Sequence, residues 1–171
     1  MTREEFKQDV LPVKNKLYRL ALRLLGDQED AMDIVQEIFL RLWMKKDELG
    51  EYRNLEAYAV TMTRNLCLDK LKSPAARGET YNEKNEMPDN RTPYDRTELS
   101  DSMRIVRAAM DELPEQQRLV IHLRDVEGSD FDEIAEITGL SLNNIRVILS
   151  RARKKIRDTL IKIHSYEFSK N

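Results

Sequence analysis

Asn143, Asn144, Arg146, Val147, Ser150, Arg151 and Lys154 all fall within one short stretch, SLNNIRVILSRARKKI, residues 141–156. At 100° per residue Asn143, Val147, Ser150, Arg151 and Lys154 share one side of a helix, flanked by Asn144, Arg146 and Arg157. These side chains suit recognition rather than bond-making. An Asn amide pairs with adenine, a guanidinium donates two parallel bonds to guanine, and an exposed valine meets a thymine methyl. Lys154, Lys155 and Arg157 lie toward the far end, where phosphate contact carries little sequence information. A solvated basic face would carry the same charges, so the residues ahead of the helix matter. "DFDEIAEITGLS" reads as a short helix capped by Asp130, a break at Gly139 and a new cap at Ser141. That is a helix-turn-helix, whose second helix enters the major groove.

Two further faces could bind. Over 28–46 the spacing predicts a helix whose buried stripe is Ala31, Ile34, Val35, Ile38, Phe39 and Leu42. Asp33, Gln36, Glu37, Leu40 and Met44 lie opposite, two aliphatic side chains among carboxylates. That suits a protein-docking patch, and equally a solvated face with two stray hydrophobes. From Asn54 to Lys72 a third helix is apolar on two sides, with a narrow polar line of Asn54, Thr61, Asn65 and Lys72 between them. The line suits a ligand; alternatively Thr61 and Asn65 satisfy nearby backbone groups.

Stepwise along the chain, the punctuation of these elements is explicit. Thr2 and Glu5 have capping-box spacing, Pro12 splits the first helix, and Gly26 ends the next. Asp27 and Asn54 open the following two, with Gly50 in the turn between them. Residues 73–96, "SPAARGETYNEKNEMPDNRTPYDR", hold three prolines and almost no large aliphatic side chains, and are expected to be a flexible linker. Helices resume over 97–112 and 114–125, and Gly128 ends the second of these. The expected fold is all-α: two small helical domains, 1–72 and 97–171, joined by 73–96.

Composition excludes other classes. No apolar run approaches the roughly 20 residues of a membrane span. The N-terminus MTREEFKQDV lacks the order of a signal peptide, so the expected location is the cytoplasm, without membrane insertion. Cys67 is the single cysteine and reads as a buried apolar residue; His122 and His164 have no ligand-spaced partners. No phosphate-binding glycine loop or nucleophile–base set is visible, so neither an enzyme nor a cofactor or metal is expected. The net charge of −2 hides an asymmetry: residues 139–171 carry eight basic and two acidic side chains, while 99–138 carry four and ten. A basic helix on an otherwise acidic chain can meet DNA and resist indiscriminate binding.

These stretches together resemble the extracytoplasmic-function group of bacterial sigma-70 family sigma factors. "LGDQEDAMDIVQEIFLRLW" resembles the family's core-polymerase-binding helix, with Asp33, Gln36, Glu37 and Phe39 in its pattern. "NLEAYAVTMTRNLCLDKLK" resembles the helix that reads the −10 promoter element, including Arg64-Asn65. "ELPEQQRLVIHLRDVEGSDFDEIAEITGLSLNNIRVILSRARKKI" resembles the domain that reads the −35 element. The resemblance implies an initiation factor with three kinds of partner: core RNA polymerase, promoter DNA and an anti-sigma factor. It implies that Asp33, Gln36, Glu37, Leu40 and Met44 dock on polymerase clamp helices. Tyr52, Arg53, Asn54, Thr61, Asn65 and Lys72 would serve the −10 element. The loop Lys46–Asn54 would capture a base flipped from the non-template strand, and the linker would pass the polymerase's active-site and RNA-exit channels.

Two departures stand out. Asn143-Asn144 replaces the family's frequent Gly-Thr, which leaves that position's role open, and Tyr52 is the only aromatic of a short loop. Strong unaided melting is therefore not expected. A stand-alone helix-turn-helix regulator and a protein-interaction adaptor are the rival readings. The first predicts tight specific DNA binding without polymerase; the second predicts that neutralising Arg146 and Arg151 changes nothing.

Overall fold

The computed structural model describes residues 1–73 and 100–169, with side chains as far as Tyr166. The linker expected over 73–96 lies outside the described residues except for Ser73, as do residues 97–99. Every regular element among the described residues is helical.

Helix α1 spans Arg3–Val10, and the capping box forms: the Glu5 amide donates to Thr2 Oγ1 at 3.2 Å and the Thr2 amide to Glu5 Oε2 at 2.8 Å. Pro12 sits in a 3-10 turn, Leu11–Val13, which separates α1 from α2, Lys14–Leu25. Gly26, at φ 73°, ends α2 in the left-handed region that glycine enters without strain. Asp27 and Asn54 cap α3 (Gln28–Met44) and α4 (Leu55–Lys72), accepting from the Asp30 and Ala57 amides at 3.1 and 3.0 Å. Leu17, Leu20, Ile38, Leu42 and Val60 are fully buried where α2, α3 and α4 meet.

The second group opens with α5, Asp101–Asp111, capped by Ser100. Helix α6, Glu115–Ile121, does not run on as a plain helix to Asp125. It widens into a π-helical turn, His122–Val126, in which the Glu127 amide reaches back five residues to the His122 carbonyl at 3.0 Å. Both His122 and Leu123 turn inward there. Helix α7 is Phe131–Thr138, capped by Asp130, and ends at Gly139 with φ 75°. Helix α8 runs from Leu142 to Ser169, its first turn held by the Asn144 amide donating to Ser141 Oγ at 3.1 Å. Ile145, Leu149 and Ala152 bury its inner face. Leu142, which helical spacing puts on the same side, is 38% exposed, because the first residue of the helix has no preceding turn to lie against.

The two groups touch. Helix α2 packs on α6 and its π turn, and α7 packs on α4. Among the described residues no helix is long and apolar enough to cross a membrane.

Candidate nucleic-acid interface

On α8 the residues singled out from sequence point outward together. Asn143, Asn144, Arg146, Ser150, Arg151 and Lys154 are exposed, and Val147 is 40% exposed. The Gly139 turn and the Ser141 cap set the start of this helix, and Ile145 and Leu149 fix its rotation. Neither Arg151 nor Lys154 takes part in an ion pair among the described residues, so their charges stay available for a polyanion. Arg153, one position round, is committed instead: its Nε and Nη2 donate to both Asp125 oxygens at 3.0 and 2.6 Å.

The polar line of α4 divides. Asn65 and Lys72 are exposed, and Asn65 Oδ1 accepts from Arg64 Nη1 at 2.9 Å. Thr61 is half-buried and donates to the Ala57 carbonyl at 2.8 Å, so its hydroxyl proton serves its own helix. Asn54 spends its side-chain oxygen on the α4 cap. Thr63, which periodicity had not marked, is fully buried and donates to the Ala59 carbonyl at 2.8 Å. In the preceding loop Tyr52 stacks on Tyr58, centroids 4.1 Å apart and planes 20° apart, and pairing with Tyr58 holds its phenol above its ordinary pKa. Arg53 is exposed beside it.

On α3 the outer face is as its spacing implies. Asp33, Gln36 and Glu37 are exposed, and Leu40 and Met44 are 56% and 76% exposed. Glu37 holds Arg41 at 2.9 Å one turn on.

A polar cluster between the two groups had no part in the sequence reading. Arg19 of α2 donates Nε and Nη2 to the two Glu127 oxygens at 2.7 and 2.8 Å. Arg23, one turn later, donates to Asp111 of α5 at 2.7 Å and to His122 Nδ1 at 3.4 Å. His122 is 1% exposed; its Nε2 lies 3.3 Å from Glu127 Oε1 but off the line a hydrogen bond needs. Burial pushes the His122 imidazole below its ordinary pKa, and the nearby Arg23 and Arg19 charges act the same way against Glu127. Burial would raise the Glu127 carboxyl; the Arg19 guanidinium and His122 outweigh it and hold the group at about 2. The one trace of it in the sequence is His122 set between Ile121 and Leu123, and a single histidine among apolar residues most often means packing.

One aromatic ring also joins the two helices of the helix-turn-helix. The Arg124 and Arg146 guanidinium carbons lie 4.7 and 5.6 Å from the Phe131 ring centroid.

Comparison with known proteins bears on these faces together. A family model described as Sigma-70 region 2 matches residues 10–77, and one described as Sigma-70, region 4 matches residues 103–156. An ECF RNA polymerase sigma factor, SigL of Mycobacterium tuberculosis, is 30% identical over 148 residues, covering 84% of this chain and 82% of that protein. The chain belongs to the ECF sigma factors. SigE of Mycolicibacterium smegmatis is 33% identical over 164 residues, covering 90% of this sigma factor but 60% of that protein. The chain thus spans well under two thirds of the length of some of its curated relatives. Among solved structures, the sigma factor RpoE of Bartonella quintana, in complex with the anti-sigma factor NepR, superposes with TM-score 0.73 at 25% identity, covering 92% of this chain and 97% of that one. CnrH, solved with the cytosolic domain of CnrY, gives 0.68 at 23% identity, over 94% and 90%, and shares the fold.

Proposed function

We propose that this sigma factor is a transcription initiation factor that binds core RNA polymerase and directs it to promoters carrying a −35 and a −10 element. The observation that carries the reading is the outward recognition face of α8 on a capped helix-turn-helix, in one chain with a region 2 unit. Residues 1–72 would form the unit for core polymerase and the −10 element, and 97–171 the −35 unit, joined by 73–96. Asp33, Gln36, Glu37, Leu40 and Met44 offer a partner apolar contact ringed by acid. Tyr52, Arg53, Asn54, Thr61, Asn65 and Lys72 lie at or before α4, where an extruded base would need a pocket to offset its lost stacking. Asn143, Asn144, Arg146, Val147, Ser150, Arg151 and Lys154 would meet the −35 duplex.

An anti-sigma partner belongs to the same reading, since the similar RpoE was solved in complex with the anti-sigma factor NepR. A groove of about 830 Å³ between α5 and the second half of α8, lined by Ile105, Val106, Met110, Ile156 and Leu160, could seat apolar side chains of such a partner.

Run-off transcription with purified core polymerase on a pool of genomic promoter fragments tests the proposal. New discrete transcripts are expected, and Asn65→Ala or Arg151→Ala should abolish them. Absence of transcripts, with specific DNA retention by the protein alone, would replace this reading with a stand-alone regulator.

A further inference from the structure

Phe131 is the first residue of α7 and Arg146 lies in the second turn of α8, so their contact ties the two helices of the reading head together. A guanidinium over an aromatic face spends that face on the ring and leaves its in-plane N–H edge free. Arg124 lies over the same ring, steadied by its Nη1 donating to the Ser129 carbonyl at 3.0 Å. Beside this ring lies a recess of about 500 Å³ lined by Arg146, Arg153, Arg157, Ser150, Leu149 and Phe131. Arg153 is neutralised there by Asp125, whereas no ion pair holds Arg146 or Arg157 among the described residues. The recess therefore offers two uncommitted guanidiniums and a hydroxyl over an apolar floor. Two guanidinium side chains and a serine lining one concavity at the flank of a recognition helix fit a tetrahedral anion of the DNA backbone.

We propose that this recess seats a backbone phosphate of the duplex, and that Phe131 is the positioning residue that holds Arg146, with Arg124 beside it, for that contact. The proposal rests on α8 meeting DNA, as in the reading above, but needs no promoter sequence, because a phosphate contact is blind to sequence. It also separates the roles on α8: Arg146 anchors, while Asn143, Val147 and Arg151 remain for base edges.

The test uses the full-length chain and a pool of random-sequence 20-base-pair duplexes, with binding followed by fluorescence anisotropy between 50 and 200 mM KCl. Arg146→Gln should lower the slope of log K against log salt by about one unit, the signature of one lost phosphate. Phe131→Leu should weaken binding roughly two- to fivefold, the loss of one exposed cation–π contact. Phe131→Trp, which keeps the ring, should restore it. In the Arg146→Gln background Phe131→Leu should cost distinctly less, because the two positions act through one contact. Additive losses, a wild-type slope in Arg146→Gln, or no rescue by a Phe131→Trp protein that melts normally would each overturn the proposal, as would wild-type protein that fails to bind at 50 mM. Failure of promoter transcription would leave this result standing, since no promoter enters the measurement.

Discussion

Cys67 sits on the inner side of α4 without contact to solvent, and burial pushes its thiol up to about 12. A thiolate is the reactive species, so at pH 8 the group is both shielded and protonated. A thiol reagent should therefore leave the native protein untouched over minutes and titrate one equivalent in concentrated urea; reaction of the native protein at the denatured rate would contradict this burial. Arg151 is the opposite kind of residue, exposed and without an ion pair among the described residues. Arg151→Ala is expected to lower affinity for a matched −35 duplex by about 1–3 kcal/mol and to change random-duplex binding little. An equal loss on both duplexes, measured by competition, would make it a phosphate contact. Outward residues such as Arg151 and Val147 were legible in the sequence because a 3.6-residue period and a cap fix which side of α8 they occupy. Thr61 was legible only in part: its position followed from the period, but its bond to the Ala57 carbonyl depends on a rotamer. Arg124 and Phe131 were not legible, because their contact joins different elements and no spacing rule encodes it.

At the scale of elements, caps and breaks were readable from single residues. Thr2, Asp27, Asn54, Asp130 and Ser141 each stand where an unpaired helix amide needs an acceptor. The π turn at His122–Val126 was not readable, since an extra residue in one turn leaves no mark in composition. Its effect is large: it helps bring His122 and Glu127 beneath Arg19 and Arg23 of α2, with Asp111 of α5 on the far side of Arg23. This packing depends on pH in one direction. His122 has a lower pKa in the packed form than its ordinary 6.5, so the contact is at full strength above that value and weakens as pH falls. Glu127, held at about 2 against an ordinary 4.5, adds a second loss of the same sign below 4.5. Dyes on Glu29→Cys and Lys162→Cys, with Cys67 unreactive, should show constant energy transfer between pH 8 and 7. Transfer should then fall in two steps, below about 6.5 and below about 4.5, while circular dichroism keeps its helical signal. Transfer that stays flat to pH 4 would show that these groups do not govern the packing. Glu127→Gln should weaken the packed form at neutral pH.

For the whole molecule, the all-α order of elements and the two region matches followed the sequence closely, whereas the contact between α2 and α6 did not. The ion pairs that tie α2 to the second group join Arg19 to Glu127, after the π turn, and Arg23 to Asp111 of α5, residues that taken singly read as ordinary solvated charge. Charge pairs gain their meaning only when a distant partner is known. Adding core polymerase to the doubly labelled chain is expected to abolish energy transfer at pH 7.5, and retained transfer in an active holoenzyme would refute separation.

The packing of α2 on α6 and of α7 on α4 has a consequence in plain lengths. Two elements centred about 25 base pairs apart lie roughly 85 Å from each other along duplex DNA, at 3.4 Å per step. A packed chain of 171 residues has a radius of gyration near 15 Å and so measures only about 40 Å across. A molecule of that width is too short to touch, at once, both elements that the proposed function assigns to it. The 26 residues from Pro74 to Leu99 could span at most roughly 90 Å when drawn straight. On the proposed reading the two groups must part to reach both elements, with residues 74–99 as the tether between them, and shortening that stretch would be felt first at promoters with the widest spacers.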